Sequence, residues 1–161
     1  MVKFIKWFFS FKVYYFAYGS NMSYERISKR IGYCKKIGNY NLEGYKLQFN
    51  YGNDDFSFAN LIESENDNVE GVIYKITLKQ LFLLDYAEGF GNPSYYSRMV
   101  DLFKNKPLHF YISFNIRENL IKPLSRDYYN TLLKGAEENN LQNYLKILKN
   151  INFSENKFMY K

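Results

Sequence analysis

The sequence predicts an α+β fold in which a mixed sheet, closed or strongly curled, fills the middle of the chain and helices finish it. Three observations carry that expectation. Short β-branched and aromatic runs recur at hairpin spacing between residues 13 and 114, and glycines and polar clusters punctuate them. Few helical stretches separate these runs, which argues against a doubly wound parallel sheet. Strands dominate the middle of the chain, and two helical stretches in succession finish it.

Taken in order, residues 13–18 form a compact apolar run that stops abruptly at Gly19-Ser20-Asn21, which reads as a buried strand followed by a tight turn. Residues 23–31 then read as a short helix, with Ile27 and Ile31 one turn apart and Gly32 closing it. From 33 to 51 the β-forming residues are interrupted by Gly38 and Gly44 and followed by Gly52, which predicts strands with a bend or bulge. Gly52-Asn53-Asp54-Asp55 is a turn. Residues 58–62 and 69–76 read as the two arms of a hairpin joined by the polar stretch 63–68. Thr77 is placed to cap a helix carrying Leu78, Leu81, Phe82 and Asp85, and Glu88-Gly89 ends it. Residues 95–103 and 108–114 predict a second hairpin turning at Lys104-Asn105-Lys106-Pro107. Ser125 caps a helix reaching 139, and Leu141, Tyr144, Leu145 and Leu148 then fall at i, i+3, i+4 and i+7 of a last one.

A chain of 161 residues with 47% hydrophobic and 24% charged residues is expected to be one soluble globular domain, and no apolar run is long enough to span a bilayer. The expected organisation is an aromatic and basic extension over residues 1–12, the domain over 13–153 and a tail over 154–161. Lys6 interrupts the apolar part of the extension and no small-x-small cleavage site follows, so it is a poor secretion signal. Lys3, Lys6 and Ser10 would share one helical face opposite the aromatics, but packing on the domain or on a neighbouring copy is the favoured reading. The single cysteine, Cys34, makes no internal disulfide and has no zinc-ligand spacing, which fits a reducing cytoplasm. The net charge of +6 is scattered rather than gathered into a basic block, and 17 Tyr with 15 Phe are better explained by core packing than by nucleic-acid stacking.

The candidate chemistry lies at the strand-to-helix junction. Backbone N–H groups at a helical N-terminus, approached through a glycine, hold a carboxylate or a developing oxyanion. Ser20 is not a convincing nucleophile, because the second glycine of a nucleophile elbow is missing and the single histidine, His109, falls in a predicted strand. There is no phosphate-binding glycine loop with lysine. The carboxylates Asp54, Asp55, Glu63 and Glu65 fall in exposed turns, so no metal is expected. Glu88, after an apolar helix and near Phe90, Tyr95 and Tyr96, is placed for partial desolvation, which raises a carboxyl pKa toward the range of roughly 6–7 that general bases use.

Tyr15-Phe16-Ala17-Tyr18-Gly19-Ser20-Asn21-Met22 and Leu84-Asp85-Tyr86-Ala87-Glu88-Gly89 together resemble the two signatures of the gamma-glutamylcyclotransferase superfamily. Glu70-Gly71-Val72-Ile73-Tyr74, Tyr96-Ser97-Arg98 and the helical tail from Ser125 extend the resemblance over residues 13–153. It implies a small mixed β-barrel flanked by α-helices, with the Gly-Ser-Asn loop and Glu88 meeting in one cavity. It also implies a reaction needing no cofactor: the α-amino group of a γ-glutamyl substrate attacks its own γ-carbonyl, forming 5-oxoproline and expelling the amine. Glu88 is then the acid/base, and Tyr18, Gly19, Ser20, Asn21 and Met22 bind substrate, with Tyr96, Tyr111 and Tyr128 as pocket tyrosines. Tyr95 competes with Tyr96 for that place. The alternatives are a gamma-glutamylamine cyclotransferase of the same fold and a catalytically idle binding or interaction module. The expected partner is a small γ-glutamyl molecule in the cytoplasm, with neither nucleic acid nor membrane involved. Oligomeric state stays open between monomer and homodimer.

Overall fold

The computed structural model describes residues 11–89, 96–117 and 122–154. Five strands form one sheet: β1 (Lys12–Ala17), β2 (Lys35–Gly52), β3 (Ser57–Thr77), β4 (Ser97–Phe103) and β5 (Lys106–Ile112), in the spatial order β2-β3-β1-β5-β4. Only β1 and β5 run parallel; every other pairing in this sheet is antiparallel. Four helices accompany it: α1 (Tyr24–Ile31), α2 (Leu78–Ala87), α3 (Arg126–Glu138) and α4 (Gln142–Lys149). Two short strands, β6 (Leu124–Ser125) and β7 (Phe153–Ser154), pair in parallel beside α3. Among the described residues no helix is long and apolar enough to cross a membrane.

The central strand β1 is apolar on both faces because both are covered. Tyr15 and Ala17 share one face, and Phe16 occupies the other fully buried, so the run reads as continuous rather than alternating. The long β2–β3 ribbon curls over the Phe16 face. Its curl brings Tyr40 of β2 edge-on to Phe103 of β4 with ring centroids 5.3 Å apart, and Tyr45 edge-on to Phe110 of β5 at the same separation. Between β2 and β4 there is no hydrogen-bonded pairing among the described residues. The expected barrel is therefore a strongly curled sheet whose seam is filled by aromatic rings.

The expected hairpin within residues 58–76 is corrected. Both arms pair with β2 and neither pairs with the other, so β3 runs through as one strand. The polar stretch is a bulge: Glu43 pairs with Asn68 and Tyr45 with Glu63, leaving residues 64–67 outside the ladder. The Ser64 hydroxyl donates to Asp67 across it at 2.6 Å. Register shifts also occur at Lys36/Gly38 and Gln48/Tyr51, which bends β2 as its glycines suggested. In the β4–β5 hairpin the turn is tighter than expected, with Lys104 and Asn105 at φ 50° and 58° as the two central residues and Lys106 already paired with Phe103. The expected start of this hairpin at residue 95 lies outside the described residues.

Candidate active site

β1 delivers the chain to the site. Its register sets Tyr15 beside Tyr74 of β3 and His109 of β5, and the strand ends at Ala17. Ser20–Met22 then folds into a single 3-10 turn, closed by the Met22 N–H donating to the Gly19 carbonyl at 2.9 Å. The N–H groups of Gly19, Ser20 and Asn21 have no partner among the described residues, as the start of a helical turn dictates. All three residues line a cleft of about 1360 Å³.

The turn is braced from behind. Tyr144 of α4 donates to the Tyr18 carbonyl at 2.7 Å, while Tyr74 Oη and Asn139 Nδ2 donate to the Met22 carbonyl at 3.0 and 3.1 Å. Gly135 of α3 lies directly against the same backbone: a Cβ there would sit 2.7 Å from the Ser23 nitrogen and 2.9 Å from Met22 Cβ. Met22 itself is fully buried and does not line the cleft. The expectation that Met22 meets substrate is thus corrected, since its side chain is core and its carbonyl anchors the loop.

α2 brings the carboxylate. Its start is fixed by a capping box, in which Thr77 Oγ1 accepts from the Gln80 N–H at 3.1 Å and Gln80 Oε1 accepts from the Thr77 N–H at 2.9 Å. At its other end Glu88 is the C-cap and Gly89, at φ 67°, turns the chain away. One turn earlier, buried Asp85 accepts from Tyr111 Oη at 2.7 Å and from Arg98 Nη1 at 2.5 Å, tying the last turn of α2 to β5 and β4.

Glu88 and the loop meet directly. Glu88 Oε1 accepts from Asn21 Nδ2 at 3.2 Å and from Arg30 Nη1 at 2.6 Å, and its side chain is 15% exposed. Arg30 also donates to Asn21 Oδ1 at 3.1 Å, while Asn21 Nδ2 donates to Tyr15 Oη at 2.9 Å. Glu88 is partly desolvated as expected, yet it carries a guanidinium partner that no motif announced. In sequence, Arg30 is a basic residue in the last turn of a helix, where the helix dipole alone would account for it.

The predicted tyrosines all line the cleft, but their hydroxyls are engaged by the protein. Tyr96 Oη donates to the Ala59 carbonyl at 2.5 Å and Tyr128 Oη accepts from the Ala59 N–H at 3.1 Å, so the two hydroxyls hold one residue of β3. Tyr18 donates to the Tyr111 carbonyl, and Tyr111 to Asp85. Tyr95 lies outside the described residues. Burial, ahead of all else, pushes the phenols of Tyr15, Tyr18, Tyr96 and Tyr111 above their ordinary range; Glu88 adds to this for each, and the Asp85 hydrogen bond for Tyr111. These groups are walls and donors at neutral pH, not bases. Among the described residues lining the cleft, Glu88 is the one carboxylate, beside the permanently charged Arg26, Arg30 and Arg117.

The Gly-Ser-Asn turn and the one carboxylate among the described cleft residues thus lie together at one end of a curled α+β sheet, in a cleft of small-molecule size. The model of the gamma-glutamyl cyclotransferase, AIG2-like family matches residues 15–130, and the chain belongs to that family. It is 30% identical to a gamma-glutamylcyclotransferase of Bos taurus over 134 residues, covering 79% of this chain and 71% of that protein. It is 33% identical over 93 residues to the putative gamma-glutamylcyclotransferase YkqA of Bacillus subtilis, covering 56% of this chain and 33% of YkqA. The match thus spans about a third of the length of that relative. A solved structure of a gamma-glutamyl cyclotransferase superposes with a TM-score of 0.75 at 26% identity, over 94% of each chain. A gamma-glutamylcyclotransferase-like function is supported at the level of the family.

Proposed function

We propose that the chain is a gamma-glutamylcyclotransferase, converting a γ-glutamyl amino acid into 5-oxoproline and the free amino acid. One observation carries the reading: the one carboxylate among the described cleft residues is hydrogen-bonded, through Asn21, to the loop whose unpartnered N–H groups belong to residues lining the same space. The reaction is intramolecular, so its main demand is a substrate folded into the attacking geometry. A carboxylate and an oxyanion site supply the remainder.

Glu88 takes a proton from the α-ammonium, which is not nucleophilic while protonated. The α-nitrogen then bonds to the γ-carbon, and the γ-carbonyl oxygen gathers negative charge facing the N–H groups of Gly19, Ser20 and Asn21. Collapse breaks the bond from the γ-carbon to the departing nitrogen. The α-ammonium begins with three hydrogens and the lactam nitrogen keeps one, so two protons pass through Glu88 to the departing nitrogen, which leaves as an ammonium. No redox change or external reactant enters.

The test is incubation with γ-glutamyl-alanine, γ-glutamyl-lysine isopeptide and glutathione, following 5-oxoproline by mass spectrometry. Wild type is expected to form product from at least one of them, and Glu88→Gln to lower the rate by on the order of 10²–10⁴-fold. Absence of product from all three would sink the reading; an undiminished Glu88→Gln rate would remove Glu88 from it.

A further inference from the structure

The Arg30–Glu88 pair is only half used. Arg30 spends Nη1 on Glu88 Oε1 and Asn21 Oδ1, and among the described residues its Nε and Nη2 donate to nothing. Glu88 spends Oε1, and its Oε2 has no partner among the same residues. Both side chains line the cleft, at 22% and 15% exposure. The cleft therefore presents an unspent cationic edge and an unspent anionic oxygen side by side.

That pattern is complementary to a zwitterion whose ammonium and carboxylate sit on one carbon. A γ-glutamyl group has such a head. Building on the cyclotransferase reading, we propose that Arg30 is the residue that binds the substrate's α-carboxylate and so restricts the site to acyl groups bearing a free α-amino acid head. Glu88 Oε2 faces the α-ammonium while the guanidinium edge receives the α-carboxylate, a planar two-donor match for a carboxylate. The head group is pinned with its nitrogen toward the base. The N–H groups of Gly19, Ser20 and Asn21 then remain for the γ-carbonyl oxygen, where charge develops. The same guanidinium pairs with Glu88 and holds Asn21, so one side chain joins both halves of the site.

The test compares γ-glutamyl-alanine with 4-aminobutanoyl-alanine, which lacks only the α-carboxylate and would cyclise to 2-pyrrolidinone. Wild type is expected to prefer the first by about 10- to 100-fold in kcat/KM, the range for a hydrogen-bonded charge pair. Arg30→Met is expected to erase that preference, and Arg30→Lys, which keeps a cation but no planar donor edge, to weaken it. A residue that only held Glu88 in place would lower both substrates equally; an unchanged ratio in both variants, or a wild type with no preference, overturns the proposal. Binding of 5-oxoproline against 2-pyrrolidinone, read by calorimetry, requires no turnover. There, too, wild type is expected to favour the carboxylate-bearing lactam and the Arg30 variants to lose that preference. A wild type that turns over nothing yet shows this selectivity defeats the cyclotransferase reading and leaves Arg30's role standing. Equal affinity for the two lactams overturns the role itself. If Arg30→Met does not fold, Arg30→Lys alone decides.

Discussion

Asp85 shows how a residue can matter to the site without entering the cleft. Its carboxylate is buried between Tyr111 and Arg98, so it fixes the turn of α2 that precedes Glu88. Removing one member of a buried pair strands the other, and Asp85→Asn is expected to cost about 2–4 kcal/mol, discounted for the partly exposed Arg98. Urea denaturation measures it, and the double variant Asp85→Leu with Arg98→Met is expected to recover only part of the loss, because the buried Tyr111 hydroxyl is left without its acceptor. The sequence made Glu88 and the Gly-Ser-Asn loop legible as residues, because glycine punctuation and a motif mark them. Arg30 and Asp85 were not legible as partners. A charged residue within a helix looks the same whether it faces water or a carboxylate one or two elements away, and only the tertiary placement of α1 and α2 separates the cases.

At the scale of elements, local chemistry carried furthest where one residue decides a boundary. Thr77 and Ser125 cap their helices as expected, the Ser125 hydroxyl accepting from the Tyr128 N–H at 3.2 Å. The hairpin assigned to residues 58–76 failed because a polar stretch between apolar runs has the same composition in a turn as in a bulge. The difference depends on β2, whose 18 residues are long enough to pair with both arms. Close packing between elements was also invisible. Gly135 sits in the helix that buttresses the loop, and Gly135→Ala replaces a weak helix former by a strong one, worth roughly 1 kcal/mol in isolation. Its methyl would nonetheless meet Met22 and Ser23 backbone inside 3 Å, and overpacking of that kind costs about 1–3 kcal/mol. The expected outcome is lower thermal stability, with a fall in cyclisation rate beyond what the folded fraction explains; an unchanged melting temperature and rate would contradict the packing.

At the scale of the whole molecule, acid sensitivity follows from a histidine on the sheet face that Tyr15 and Tyr111 share. His109 is buried, and burial, reinforced by the nearby Arg98 and opposed by Asp85, lowers its pKa below the ordinary value. The native chain therefore stays unprotonated there while the unfolded chain takes up a proton as pH falls below about 6.5. Stability is lost in that window, and it is regained as pH rises through it. His109→Phe fills similar space without a titrating nitrogen and removes a buried Nδ1 that lacks a hydrogen bond among the described residues. Melting temperatures at pH 5 and pH 7.5 are expected to differ less for the variant than for wild type. Equal differences would place the acid sensitivity elsewhere.

The bracing of the Gly-Ser-Asn turn also bears on the order in which the molecule comes into being. Its supports arrive from very far along the chain: Asn139 reaches Met22 over 117 residues and Tyr144 reaches Tyr18 over 126. Contacts of such separation close large loops and form late. During synthesis the donor loop, Arg30 and Glu88 emerge well before the helices that hold the loop in shape. A nascent chain stopped after β5 carries the loop, Arg30 and Glu88 without the side chains that brace the loop, so the shape of the cleft is completed by the helices that leave the ribosome last.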